Sequence, residues 1–240
     1  MAEYHVLGKM KRFSLYSLLS IVALGVTIYL FTDYKYVDTI LVEGNYYVSE
    51  EDVIIHSGLN NDQLFLAIDQ HKIEFLVTSH PVIQSVTMTK QFPNDIKIEV
   101  LEHKVIGCLE EENNYFQLFS NGYREQVSPL TSCQGSIITG VNAYFNDMLL
   151  ESFINEFSKI GKDTLSQISE TIYSPNEFNK NRIISYMTDG NKIIYTIDTI
   201  HKLNYYKDMV NQIYLTYDGE VNGVFDFEVG AYFTPYDTVK

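Results

Sequence analysis

Residues 92–102, Phe92-Pro93-Asn94-Asp95-Ile96-Lys97-Ile98-Glu99-Val100-Leu101-Glu102, hold a turn and the start of a strand. Proline opens the turn with its fixed φ, and Asn94-Asp95 follow with side chains that bond their own backbone. Ile96, Ile98 and Val100 alternate with Lys97 and Glu99, so one face of the strand meets a core. Immediately upstream, residues 82–91 carry Ile83, Val86 and Met88 in a less regular alternation and read as a second strand. His80-Pro81 ends a helix predicted over residues 69–79, with Ile73, Leu76 and Val77 on one face. Farther back, Ser49-Glu50-Glu51-Asp52 has the S-x-x-D form of a helix start, and Ser57-Gly58-Leu59 stops that short helix. Residues 36–42 are rich in Val, Ile and Thr and read as a strand ended by Gly44-Asn45. The predicted order is strand, helix, helix, strand, strand.

Ahead of this module lies an uncharged run, residues 13–31, FSLYSLLSIVALGVTIYLF. At ~1.5 Å per residue it matches a hydrocarbon core of ~30 Å. Lys9, Lys11 and Arg12 precede it, and Asp33 and Asp38 follow. Basic residues favour the cytoplasmic side, so residues 1–12 are expected inside and everything after the run outside. The run is longer than the ~7–15 apolar residues of a secretory signal, and no small-x-small cleavage site follows it. The expectation is an uncleaved anchor that acts as a plain tether; packing of Ser14, Tyr16, Ser17, Ser20 and Thr27 against other helices is the alternative.

At 45% hydrophobic and 20% charged, the chain has enough apolar residues for real cores. Its net charge is −14, and the outer part is more acidic still once Lys9, Lys11, Arg12 and Glu3 are set aside. Such a surface repels phosphate backbones, which argues against nucleic-acid binding. The two cysteines, Cys108 and Cys133, allow either one disulfide or two buried thiols, and their spacing does not separate these cases. No C-x-x-C is present for thiol–disulfide chemistry.

Downstream, residues 105–109 read as a strand, Glu110-Glu111-Glu112-Asn113-Asn114 as a polar turn, and residues 115–119 and 123–127 as a hairpin around Ser120-Asn121-Gly122. Residues 136–140 form another short strand. Asp147 is placed to cap a helix reaching Lys159, with Leu149, Leu150, Phe153, Ile154, Phe157 and Ile160 at helical spacing before Gly161. Residues 168–173 read as a strand, and 182–187 with 192–197 as a hairpin. Ile200, Leu203, Tyr206, Met209, Val210 and Ile213 set a further helix against the sheet. Last comes an alternation, Phe225, Phe227, Val229, Ala231, Phe233, which predicts one half-buried terminal strand stopped by Pro235. The fold class is α+β: an N-terminal transmembrane helix, a βααββ module, then a mixed β-rich domain with flanking helices.

Ile40-x-Val42-x-Gly44-Asn45, Ser49-x-x-Asp52-Val53, Ser57-Gly58-Leu59, His80-Pro81-x-Ile83-x-x-Val86, Phe92-Pro93 and Ile96-x-Ile98-x-Val100-x-Glu102 together resemble a POTRA domain. Behind a single anchor they resemble the FtsQ/DivIB family of bacterial cell-division proteins. The resemblance implies a cytoplasmic N-terminus at 1–12, an anchor at 13–31, a POTRA domain at 34–103 and a β domain at 104–240. It implies a non-enzymatic scaffold that helps regulate septal peptidoglycan synthesis. The implied partners are DivIC (FtsB)-like and FtsL-like single-span coiled-coil proteins, among other division proteins. They would engage the terminal segment: Val224, Phe225, Asp226, Phe227, Glu228, Val229, Gly230, Ala231, Tyr232 and Phe233.

The chemistry-bearing residues form no pattern of a catalytic site. The six histidines, His5, His56, His71, His80, His103 and His201, lack zinc-ligand spacing. There is no G-x-S-x-G, S-x-x-K, G-x-G-x-x-G or P-loop. Glu110-Glu111-Glu112 reads as a solvated turn, because consecutive carboxylates in an extended chain do not converge on a cation. The expectation is therefore no catalytic residue, no metal and no cofactor. Two rivals stand beside the scaffold: a POTRA-type envelope chaperone or translocation component binding clients by strand addition, and an anchored envelope enzyme. The first normally feeds a barrel, and no such run of amphipathic strands follows here. The second requires a pocket with converging titratable groups.

Overall fold

The computed structural model describes residues 2–140 and 147–236, without the side chains of residues 2–14, Leu30 and Asp147. The chain divides into two compact units, Met1–Glu102 and His103–Lys240. Helix α1 spans Ala2–Phe31. Among the described residues no helix is long and apolar enough to cross a membrane. The run 13–31 includes Phe13, Ser14 and Leu30, whose side chains lie outside that set. Ser20 and Thr27 donate back to the carbonyls of Tyr16 and Ala23, at 2.9 and 2.8 Å, so both hydroxyls are satisfied within their own helix.

Past α1 comes the small module. Strand β1 (Ile40–Glu43) is followed by helices α2 (Glu50–Ser57) and α3 (Gln70–Thr78), then strands β2 (Ile83–Gln91) and β3 (Asp95–Glu102). The sheet order is β1-β3-β2, with β1 parallel and β2 antiparallel to β3. Local chemistry fixes the boundaries. Ser49 accepts the Asp52 N–H at the head of α2, and Glu50, Glu51 and Asp52 lie at the positive end of its dipole. Gly58 ends α2 in the left-handed region, at φ 66°. Asp69 caps α3 by accepting from the His71 and Lys72 N–H groups. Ile96, Ile98 and Val100 are buried as the alternation requires, as are Val53, Ile73 and Val77 of the two helices. The irregular alternation of β2 has its cause in a register shift between Ile83 and Ser85. Gly44 sits at φ 86°, and a Cβ there would lie 2.1 Å from the Val100 carbonyl oxygen, so only glycine fits.

One boundary differs from the sequence reading. The first strand begins at Ile40, not at residue 36. Tyr36 makes a single bridge to Leu64, and the Val37 N–H donates to the Gln63 carbonyl at 3.1 Å. These residues have strand-like composition but are held by a loop rather than a sheet.

Among the described residues the second unit has one sheet of nine strands. In chain order it contains β4 (Val105–Glu111), β5 (Asn114–Phe119), β6 (Arg124–Val127), β7 (Ile137–Thr139), α4 (Asp147–Phe157), α5 (Lys162–Leu165), β8 (Ile168–Tyr173), β9 (Arg182–Met187) and β10 (Lys192–Thr196). A 3₁₀ stretch, Ile197–Tyr205, runs into α6 (Tyr206–Thr216), before β11 (Gly223–Asp226) and β12 (Tyr232–Pro235). The order is β12-β11-β10-β9-β8-β7-β4-β5-β6. Phe153, Phe157, Ile160, Ile200, Leu203 and Tyr206 pack from the helices onto Leu109, Leu118, Ile138, Ile193, Phe225 and Phe227 of the sheet and its margin. The predicted helix over 200–213 is thus divided, its first part wound as 3₁₀. The cap assigned to Asp147 lies outside the described side chains, and Asp147 is the first helical residue.

Cys108 and Cys133 form a disulfide, with Cα atoms 5.7 Å apart, which ties β4 to the segment leading into β7. Buried Gln117 lies nearby. Its Nε2 donates to the Gly107 and Gln134 carbonyls and its Oε1 accepts the Gln134 N–H at 2.7 Å. The acidic turn is shorter than its composition suggests. β4 continues through Glu111, and Glu112-Asn113 make the turn with φ of 51° and 64°. Glu111 at the end of β4 pairs with Arg124 of β6, on the far side of β5, at 2.9 Å. Among the described residues no three His, Cys, Asp or Glu side chains are grouped to hold a metal.

Candidate functional site

The terminal segment is a hairpin, not the single strand its alternation predicts. Phe225 and Phe227 are buried, as expected, but Val229 is 90% exposed and Ala231 is exposed too. The alternation breaks at residues 227–231. The Glu228 N–H donates to Asp226 Oδ1 at 2.9 Å, which starts the reversal. Lys202 donates its ammonium to the carbonyls of Phe227 and Gly230, at 3.2 and 2.7 Å, holding both ends of the loop. Glu228 turns inward, where Asn179 donates to it at 3.1 Å and Arg182 Nε lies 3.5 Å away.

These contacts set β11 between two neighbours. It pairs parallel to β10, Phe225 beside Ile193, and antiparallel to β12, Phe225 beside Phe233. The rings of Phe225 and Phe233 are 4.8 Å apart, and Tyr206 meets Phe225 edge-on at 5.5 Å. Gly223 opposes Pro235, and a Cβ on it would fall 2.3 Å from the Thr234 carbonyl oxygen. Its N–H donates to the side chain of buried Asn191, which itself donates to the Tyr206 hydroxyl; that hydroxyl donates to Asp189 at 2.6 Å. Burial, followed by the Asp189 carboxylate, drives the Tyr206 hydroxyl far above its ordinary pKa, so it stays a donor at any physiological pH.

β12 lies at one margin of the sheet. The Tyr236 N–H donates inward to the Asn222 carbonyl at 3.0 Å, which fixes the alternation along the strand. The backbones of Tyr232 and Thr234 therefore face β11, while those of Phe233 and Pro235 face outward. Phe233 presents an N–H and a carbonyl, and Pro235 presents a carbonyl alone. Proline is suited to such a margin because its missing donor is on the side without a strand.

The other margins differ in chemistry. β6 carries Arg124 and Glu125, charges that discourage edge pairing. β2 has its outward Met88 N–H occupied by Glu74 Oε1 from α3, at 3.0 Å. β1 has four residues. β12, Tyr232-Phe233-Thr234-Pro235, carries no charge at all.

The ten residues read from the sequence as one binding strand are therefore split in role. Val224, Phe225, Asp226 and Phe227 build β11 and its exit, Glu228 is a tether, and Val229, Gly230 and Ala231 make the loop. Tyr232 and Phe233 alone lie on the outer strand. Thr234 and Pro235 share that strand and were not singled out, although Pro235 was legible as its stop. Gly223, Asn191 and Lys202 set the hairpin's position and carry no local signal, since their partners lie far along the chain.

Residues 36–103 match the model of the POTRA domain, FtsQ-type. The cell division protein DivIB of Listeria monocytogenes is 31% identical over 217 residues, covering 90% of this chain and 78% of that protein. DivIB of Geobacillus kaustophilus is 28% identical, covering 83% and 75%, and DivIB of Bacillus subtilis is 27% identical, covering 88% and 78%. The solved structure of the major extracytoplasmic domain of the trans isomer of DivIB from Geobacillus stearothermophilus covers 45% of this chain and 92% of that one, at 20% identity and a TM-score of 0.37. Similarity that runs through both units and across most of the relatives' length places this chain in the DivIB/FtsQ family of bacterial cell-division proteins.

Proposed function

We propose that this chain is a non-catalytic scaffold of the division machinery whose β12 edge accepts an extended segment from DivIC (FtsB)-like and FtsL-like single-span coiled-coil proteins. In this reading residues 1–12 are cytoplasmic and residues 13–31 anchor the chain at the division septum. The POTRA domain, 34–103, makes recruiting contacts, and the β domain, 104–240, holds the coiled-coil partners outside the membrane. Such a complex regulates septal peptidoglycan synthesis without performing it. The observation that supports the edge is its chemistry: an uncharged margin with the Phe233 N–H and carbonyl turned outward and Phe233 itself clamped on Phe225. Main-chain bonds supply affinity in strand addition, and side chains supply selectivity.

Deleting everything from residue 224 is a poor test, because Phe225 and Phe227 belong to the core. Tyr232→Lys with Thr234→Lys is a cleaner one. Both side chains are exposed, so the fold is expected to survive while the edge becomes charged. With each strand hydrogen bond worth ~1 kcal/mol, capture of purified coiled-coil partners should weaken ~10-fold or more. Capture at full affinity by a folded double variant would show that the partners bind elsewhere.

A further inference from the structure

We propose that the end of the POTRA module where the chain leaves α1 rests on the membrane interface, with Tyr34, Tyr36, Leu64, Leu66 and Phe92 entering the headgroup layer. This rests on the reading of residues 13–31 as a span.

Three separate parts of the chain bring these side chains to one end. Tyr36 bridges to Leu64, which leads directly into the turn carrying Leu66. The Asp38 N–H donates to the Asn94 carbonyl at 3.0 Å and the Thr39 N–H to Asp95 Oδ1 at 3.2 Å, fixing the turn that holds Phe92 beside the same segment. Lys90 reaches across to the Leu66 carbonyl at 3.4 Å. All five apolar or aromatic side chains are exposed, Phe92 by 80%.

Chain length says what covers them. From Phe31, the last residue of α1, to Tyr36 the backbone reaches at most ~18 Å, and the 3₁₀ turn at Asp33–Lys35 shortens it. A face this close to the end of a span lies at the depth of the headgroups. Its composition is that of an interfacial belt, tyrosine and phenylalanine with aliphatic neighbours. Lys35 and Lys90 stand there among Asp33, Asp38 and Asp62, so both signs of charge are present and the contact is apolar rather than electrostatic. β1 and β3 run away from this end. At their far end Tyr46 is 92% exposed, its N–H held by the Glu102 carboxylate.

The test uses the full chain, its disulfide intact, reconstituted in vesicles of phosphatidylcholine and of phosphatidylcholine with phosphatidylglycerol. Single nitroxide labels at Val22→Cys, Phe92→Cys and Tyr46→Cys are compared for accessibility to oxygen and to a water-soluble nickel complex. Val22 is expected deep in the bilayer. The oxygen-to-nickel ratio at Phe92 should be several-fold above that at Tyr46, and equal in the two lipids. A Phe92 ratio matching Tyr46, with Val22 immersed, overturns the interfacial contact and leaves the span standing. A ratio raised by phosphatidylglycerol alone overturns the apolar mechanism. Val22 as aqueous as Tyr46 overturns the span and the contact together.

Discussion

Glu74 shows how much one side chain can decide. From α3 it accepts the outward N–H of Met88, and Gln70 donates to the same carboxylate at 3.1 Å. The Met88 bond and then the Gln70 bond hold its pKa below the ordinary carboxylate value of 4.5. A carboxylate with a depressed folded pKa adds stability that is fully present above its unfolded value. That stability is lost as pH falls through the folded value. Wild type should therefore be more stable than Glu74→Gln at pH 7, and the difference should close as pH drops below 4.5. Urea denaturation of the full chain at a series of pH values measures it; a pH-independent difference would show that the Met88 bond does not depend on the charge. Asn191 has a similar economy of means, since its one amide satisfies both the Gly223 N–H and the Tyr206 hydroxyl.

At the scale of elements, the disulfide joins two pieces that no continuous ladder connects. Cys108 lies within β4 and Cys133 in the connection leading to β7, 25 residues apart in sequence. Closing a loop of that size removes ~3.5 kcal/mol of freedom from the unfolded chain in the loop-entropy account. Cys108→Ser with Cys133→Ser should lower stability by about that order, read as the shift in denaturation midpoint, while the β12 edge remains present. The elements also show what can be read from sequence. Each helix of the POTRA module is framed by residues acting within four positions: Ser49 on Asp52, Asp69 on His71 and Lys72, Gly58 at the end of α2. Where boundaries are set locally, the sequence displays them. The terminal hairpin is set by Lys202, Asn179 and Arg182, distant in sequence from the loop they hold. Its apolar alternation is that of a continuous strand, and the local turn residues Asp226 and Gly230 are outweighed by it when the sequence is read alone. The disulfide was equally invisible, because two cysteines at such a spacing are compatible with either state.

For the whole molecule, the two units place their exposed chemistry differently. The POTRA sheet covers its longer margin with Glu74, and the larger sheet leaves β12 uncharged. Truncation separates the two strands of the terminal hairpin by role. A chain ending at Gly230 loses β12 but keeps Phe225 and Phe227 in place; it should still unfold cooperatively and no longer capture partners. A chain ending at Asn222 also loses these two buried rings, each worth ~3–5 kcal/mol, and should not hold the second unit together. Circular dichroism melts of the two truncations distinguish the cases, and cooperative melting of both would show that the hairpin is not part of the core.

Among the described residues β12 follows every other strand, and it pairs with β11, which pairs in turn with β10. The edge it presents therefore depends on β11 and β10 being in place beside it. Under the proposed docking, capture would report on the sheet beneath: a chain whose β10–β11 pairing has failed offers a partner no β12 edge.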